Sequence, residues 1–116
     1  MPLDTGVPFF IPHDNKNILP QTEAIAMKYG WIWKIPVKDR YGCGYLFDSS
    51  YINEQEALAE AEEYFGMKLE SPKTFKFKAG TYKEIYKGNC LAVGLSQGFI
   101  EPLEATSIWV SCLNVI

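Results

Sequence analysis

The sequence predicts an α+β fold, a mostly antiparallel sheet with two main helices. Two alternating runs, Gly30–Val37 and Tyr41–Phe47, are joined by the polar residues Lys38, Asp39 and Arg40, which is the pattern of a β-hairpin. A capped helical stripe follows at residues 53–66, and a second apolar stripe opens at Pro102. With 116 residues, 47% of them hydrophobic and 22% charged, the chain has the length and composition of one folded domain.

Residues 1–20 hold Pro2, Pro8, Pro12 and Pro20 around Val7, Phe9, Phe10 and Ile11. Proline has no N–H to give to a ladder, so this stretch reads as at best an edge strand within a loop. In the first hairpin strand Trp31, Trp33 and Ile35 share one face. In the second, Tyr41, Cys43, Tyr45 and Phe47 oppose Gly42, Gly44 and Leu46. Asn53 is placed to cap a helix, with Glu56 three residues on completing a capping box and Gly66 as the stop. Ala57, Leu58, Ala61 and Phe65 form its apolar stripe, and Glu60, Glu62 and Glu63 read as its solvated face. Phe75–Ala79 and Thr81–Tyr86 alternate around Gly80, and Cys90–Leu95 is apolar enough for a fully buried strand. The last helix, from Pro102, carries Leu103, Ile108, Trp109, Leu113 and Ile116 and meets no stop signal, the look of a chain cut inside a larger domain.

Bulk properties exclude several classes. The net charge is −3, so no basic surface is available to neutralise a nucleic-acid backbone. The local lysines Lys73, Lys76, Lys78, Lys83 and Lys87 alternate with Phe75, Phe77, Tyr82 and Tyr86, as on a solvated strand face. Cys43, Cys90 and Cys112 lie far apart, and His13 is the only histidine, which argues against a metal site. The three thiols are expected to be buried small hydrophobes in a protein of the reducing cytoplasm. Ser107–Ile116, the longest apolar stretch, is too short to cross a bilayer.

Three segments could carry chemistry. In GWIWKIPV the indoles of Trp31 and Trp33 point the same way, either as two core residues or as a wall for a planar ligand. In GNCLAVGLSQGFIEPLEATSI an apolar strand runs through Gly94, Ser96 and Gly98 into a helix N-terminus. Free N–H groups and a positive dipole end suit an anion there, and Glu104 in the first turn is either a fixed reactive carboxylate or plain helix stabilisation. Gly42 and Gly44 lie inside a strand and are not a dinucleotide fingerprint; a bulge or close contact with another element explains them.

Trp31–Pro36 (WIWKIP) and Gly98–Ile108 (GFIEPLEATSI), with Arg40–Phe47 (RYGCGYLF) between them, resemble the flavin-dependent tryptophan halogenases over roughly residues 22–110. The resemblance implies part of a larger two-domain fold related to the flavin monooxygenases. It also implies an enzyme in which reduced FAD from a flavin reductase, O₂ and chloride or bromide halogenate an aromatic, tryptophan- or indole-like substrate. By motif position Glu104 would be the catalytic carboxylate, Thr106 and Ser107 would bind halide through their backbone, and Leu95 and Ile108 would touch the flavin ring. Trp31 and Trp33 would wall the active site. Familiar members carry serine and glycine where this chain has Ala105 and Ser107.

The resemblance further implies that residues 1–116 are one partial domain, the middle, substrate-side segment. The FAD-binding half with its G-x-G-x-x-G turn, the segment bearing a catalytic lysine and the C-terminal helices are not in this sequence. The chain is therefore expected to be inactive alone. A related flavin-dependent monooxygenase and a non-catalytic binding or structural module are the competing readings.

Overall fold

The computed structural model describes residues 3–13, 18–99 and 106–113. They form two compact units, Met1–Phe77 and Lys78–Ile116. The first is a five-stranded sheet carrying one helix; the second is built from two small two-stranded ladders and a second helix.

In the first unit the strands are β1 (Thr5–Pro12), β2 (Glu23–Met27), β3 (Gly30–Pro36), β4 (Arg40–Phe47) and β5 (Phe75–Lys76), in the order β2-β3-β4-β1-β5. All four pairings are antiparallel. The predicted hairpin is β3–β4, with Trp33 opposite Gly44 and Pro36 opposite Tyr41. Val37 N–H closes its turn on the Arg40 carbonyl at 2.9 Å.

The proline-rich start departs from expectation. β1 is no loop-bound edge but a strand paired with β4 over eight residues, Thr5 to Pro12. Proline is tolerated because β5 covers only Thr5 and Gly6, leaving the far side of Pro8 and Pro12 without a ladder that needs their N–H. β2 was not read from the sequence, since EAIAM is short and its alternation weak.

Helix α1 (Glu54–Phe65) forms as its caps dictate. Asn53 Oδ1 accepts from the Gln55 and Glu56 amides at 2.9 and 3.0 Å, and Glu56 Oε2 accepts the Asn53 N–H at 2.9 Å. Gly66 ends the helix in the left-handed region, φ 66°, where a side chain would be strained. Ala57 and Ala61 are fully buried against one sheet face, in a cluster with Val7, Phe9, Ile32, Tyr45 and Phe47. Strand alternation sends Trp31, Trp33, Gly42, Gly44 and Leu46 to the other face. The acidic residues of α1 are not simply a solvated face. Glu60 accepts from Tyr45 Oη and Lys28 N–H, and Glu62 from Leu69 N–H and Lys68 Nζ.

The second unit corrects three more expectations. Residues 75–86 are not two long strands around Gly80: β5 adds to β1, β6 (Gly80–Thr81) pairs with β9 (Gly98–Phe99), and β7 (Tyr86–Lys87) pairs with β8 (Cys90–Leu91). Alternation fails to sort the side chains, because Phe75, Tyr82 and Tyr86 are exposed along with the lysines. Cys90–Leu95 is not a buried strand either. It is the two exposed residues of β8 followed by a 3₁₀ turn at Gly94–Ser96, and Leu95 is 79% exposed. Of the thiols only Cys43 is buried; Cys90 and Cys112 are exposed. Helix α2 spans Thr106–Leu113, and the predicted opening at Pro102 lies outside the described residues. No helix among the described residues is long and apolar enough to cross a membrane.

Candidate active site

The two tryptophans of β3 stand as their spacing requires. Both are half-buried, on the sheet face away from α1, with ring centroids 6.3 Å apart and planes at 64°, an edge-to-face pair. Leu46 faces Trp31 across the ladder, on the sheet face away from α1, and is only 3% exposed. On the α1 face of the same strand, Lys34 binds Glu23 at 2.9 Å and lies 4.3 Å from the centroid of the Tyr41 ring. Cys43 is close enough to feel the Lys34 charge, yet burial dominates and pushes its thiol up to about 11. A thiol held protonated in this way is no nucleophile.

In the second unit, the turn between β8 and β9 and one face of α2 border an open hollow of about 780 Å³, with Leu95 and Ile108 largely exposed on its rim. Val93, Leu95 and Phe99 line it from the turn side, and Ser107, Ile108 and Cys112 from the helix. The turn is closed by Ser96, whose hydroxyl donates to the Val93 carbonyl at 2.8 Å and accepts the Val93 amide at 3.2 Å. Gly94 takes φ 69° at the bend. Ser111 Oγ donates to the Ser107 carbonyl at 2.7 Å, whereas Ser107 Oγ is buried without a hydrogen-bond partner among the described residues. The volume lies within the range of small-molecule sites, and among the described residues no charged side chain lines it. Such a surface suits a flat, largely apolar ring system.

Leu95, Ser107 and Ile108 are thus brought to one hollow, and Thr106 stands beside them at the described start of α2. Trp31 and Trp33 are brought together in the other unit. Glu104 lies outside the described residues. Sequence reading missed Phe99, Val93 and Cys112 as lining residues. Phe99 directly follows the turn glycine Gly98, which was the available signal.

The family model described as tryptophan halogenase matches residues 1–115. The chain belongs to the tryptophan halogenase family. Among relatives of this halogenase chain, tryptophan 7-halogenase RebH of Lentzea aerocolonigenes is 39% identical over 110 residues, which are 91% of this chain and 21% of RebH. The crystal structure of MibH, a lanthipeptide tryptophan 5-halogenase, superposes with a TM-score of 0.87 at 32% identity, covering 97% of this chain and 21% of MibH. BrvH, a flavin-dependent halogenase from Brevundimonas sp. BAL3, gives 0.84 at 32% identity over 99% of this chain and 24% of its own. The antiparallel sheet and two helices are therefore a piece of the larger halogenase fold, and the chain spans about a fifth of the relatives it matches.

Proposed function

We propose that this chain is the substrate-side segment of a flavin-dependent halogenase acting on an aromatic, tryptophan- or indole-like molecule with chloride or bromide. The observation that carries the reading is the convergence of Leu95, Ser107 and Ile108 on one hollow. The sequence motif had assigned these residues to flavin and halide. In this reading Leu95 and Ile108 would lie against the ring of FAD. The apolar lining among the described residues suits that ring better than the phosphates, which call for cations.

Reduced FAD, delivered by a flavin reductase, supplies two-electron activation of O₂ when bound. This chain's own residues contribute the halide donors, the carboxylate and the wall. The Thr106 and Ser107 amides present donors to the halide, as helix-start N–H groups suit an anion. The Glu104 carboxylate stabilises the cationic ring formed as halogen adds to the aromatic substrate, and takes up its proton. Trp31 and Trp33 form a wall that keeps the organic substrate apart from the flavin. The setting is the cytoplasm, where reductase and reduced flavin are available.

The test is a chimera in which residues 1–115 replace the matching stretch of RebH. Products from an indole substrate are followed by mass spectrometry with chloride and with bromide. Halide-dependent mono-halogenation is expected, reduced on the order of 10²- to 10³-fold by Glu104→Gln. A hydroxylated product that forms without halide would establish the monooxygenase alternative. An inert chimera that still binds FAD would favour a non-catalytic module. The 116-residue chain by itself is expected neither to quench FAD fluorescence stoichiometrically nor to form product.

A further inference from the structure

Gly42 and Gly44 lie two residues apart on β4 and share the face opposite α1, yet their surroundings differ. A Cβ placed on Gly44 would sit 2.1 Å from both Cζ2 and Cη2 of Trp33 and 2.8 Å from its Cζ3. The same atom on Gly42 would meet nothing nearer than the Ile35 carbonyl oxygen, at 3.9 Å. Neither residue has the positive φ that would itself demand glycine. Gly44 is therefore glycine for space, and the six-membered part of the Trp33 indole occupies that space. The register agrees, since Trp33 and Gly44 are direct partners across β3 and β4. Gly6 repeats the device on β1, where a Cβ would fall 2.4 Å from Cζ of Phe75.

We propose that Gly44 is the positioning residue for Trp33: the missing side chain is a seat that holds the indole over β4 and fixes its edge-to-face contact with Trp31. The steric reason is direct. At 2.1 Å the overlap is far more than a shift of a few tenths of an ångström can relieve, so an extra methyl forces the Trp33 rotamer or the backbone to move. The consequence for chemistry rests on the proposal that the Trp31–Trp33 pair walls the active site. The seat itself does not.

The test uses the whole 116-residue chain and reads two signals, the near-ultraviolet circular dichroism of the coupled indoles and the thermal midpoint. Trp33→Phe defines the signal that belongs to the pair. Gly44→Ala is expected to abolish that signal and lower the midpoint by on the order of 10 °C. Gly42→Ala, on the same face of the same strand, should change neither. Because Gly44→Ala could unfold the chain, the decisive variant is Trp33→Ala with Gly44→Ala. With the ring removed, the added methyl should cost nothing further and the double variant should melt with Trp33→Ala alone. A Gly44→Ala protein that keeps the paired-indole signal overturns the proposal. A double variant that melts well below Trp33→Ala overturns it too. Neither signal depends on flavin or halide, so a failure here and an inert RebH chimera are separate results.

Discussion

The Tyr45 hydroxyl donates to Glu60 Oε2 at 2.8 Å, while Oε1 of the same carboxylate accepts the Lys28 amide at 3.0 Å. The Tyr45 oxygen in turn accepts the Tyr29 amide at 3.2 Å. One carboxylate on α1 thus ties the helix to the centre of the sheet and to the β2–β3 turn. Ala57 and Ala61 bring the helix close but are too small to fix its rotation. Glu60→Ala should cost about 1–3 kcal/mol, because it strands the hydroxyl of a fully buried tyrosine. Glu60→Gln, which can still accept and donate, should lose less. Urea unfolding followed by circular dichroism measures both. Equal stability of Glu60→Ala and the parent would show that the clamp carries no weight.

The same clamp sets a response to alkali. Burial first, and then the hydrogen bond to the Glu60 carboxylate, raise the Tyr45 pKa above the ordinary value of 10.0. The native state therefore holds this proton more tightly than the unfolded chain does. Its contribution is fully present below about pH 10 and is lost as pH rises beyond that, with the unfolded state ionising first. Tyr45→Phe should flatten the fall in unfolding free energy measured from about pH 8 to about pH 11. An unchanged slope would place the titration elsewhere.

At the acid end, Asp4 works with the opposite sign. Its carboxylate accepts the Ser49 hydroxyl at 2.7 Å, the Ser49 amide at 2.9 Å and the Thr5 hydroxyl at 2.9 Å. The Ser49 hydroxyl leads in holding its pKa below the ordinary 3.8. This contribution is present above about pH 4 and is lost as pH falls through the depressed value. Asp4→Asn should reduce the stability difference between neutral pH and about pH 3. A pH profile that superposes on that of the parent would contradict it.

The thiols give a count. Cys90 and Cys112 are exposed, whereas Cys43 is 2% exposed with its thiol pushed up to about 11 by burial. A chromogenic disulfide reagent at neutral pH should titrate two thiols quickly and the third only on unfolding. The Cys43→Ser protein should lose the slow phase and keep the fast one. Three fast thiols in the folded parent would show that β4 opens readily.

What could be read from the sequence followed from interactions local along the chain. The β3–β4 hairpin, the Asn53–Glu56 capping box and the Gly66 stop all formed as their residues dictate, because each needs partners only a few positions away. The prolines of β1 misled because their tolerance depends on how far β5 reaches, a relationship across about seventy residues. The lysine–aromatic alternation of residues 73–87 misled for another reason: period two implies two faces only where something covers one of them, and here Phe75, Tyr82 and Tyr86 stay exposed. In the candidate site, the motif named Leu95, Ser107 and Ile108, which the turn and α2 bring to one hollow. Phe99 entered only through the fold of the turn, and Glu60 looked like any other surface acid until Tyr45 was seen behind it.

Ser107 offers the last test, because its hydroxyl and its amide separate cleanly. The Oγ is buried beside the hollow with no partner among the described residues, a state that costs free energy unless something else binds it. Ser107→Ala removes the orphan group and suits a helix better, so it should add on the order of 1 kcal/mol to the unfolding free energy and raise the thermal midpoint accordingly. Ser107→Gly removes the same hydroxyl but adds the backbone entropy of glycine in a helix, about 1 kcal/mol, and should return the midpoint to that of the parent. Both keep the amide proposed to face the halide, so in the RebH chimera both should retain halide-dependent turnover. A midpoint lowered by Ser107→Ala would mean that the hydroxyl is satisfied in solution by water or an ion. Loss of turnover in both variants, with stability intact, would move the halide contact from the backbone to the side chain.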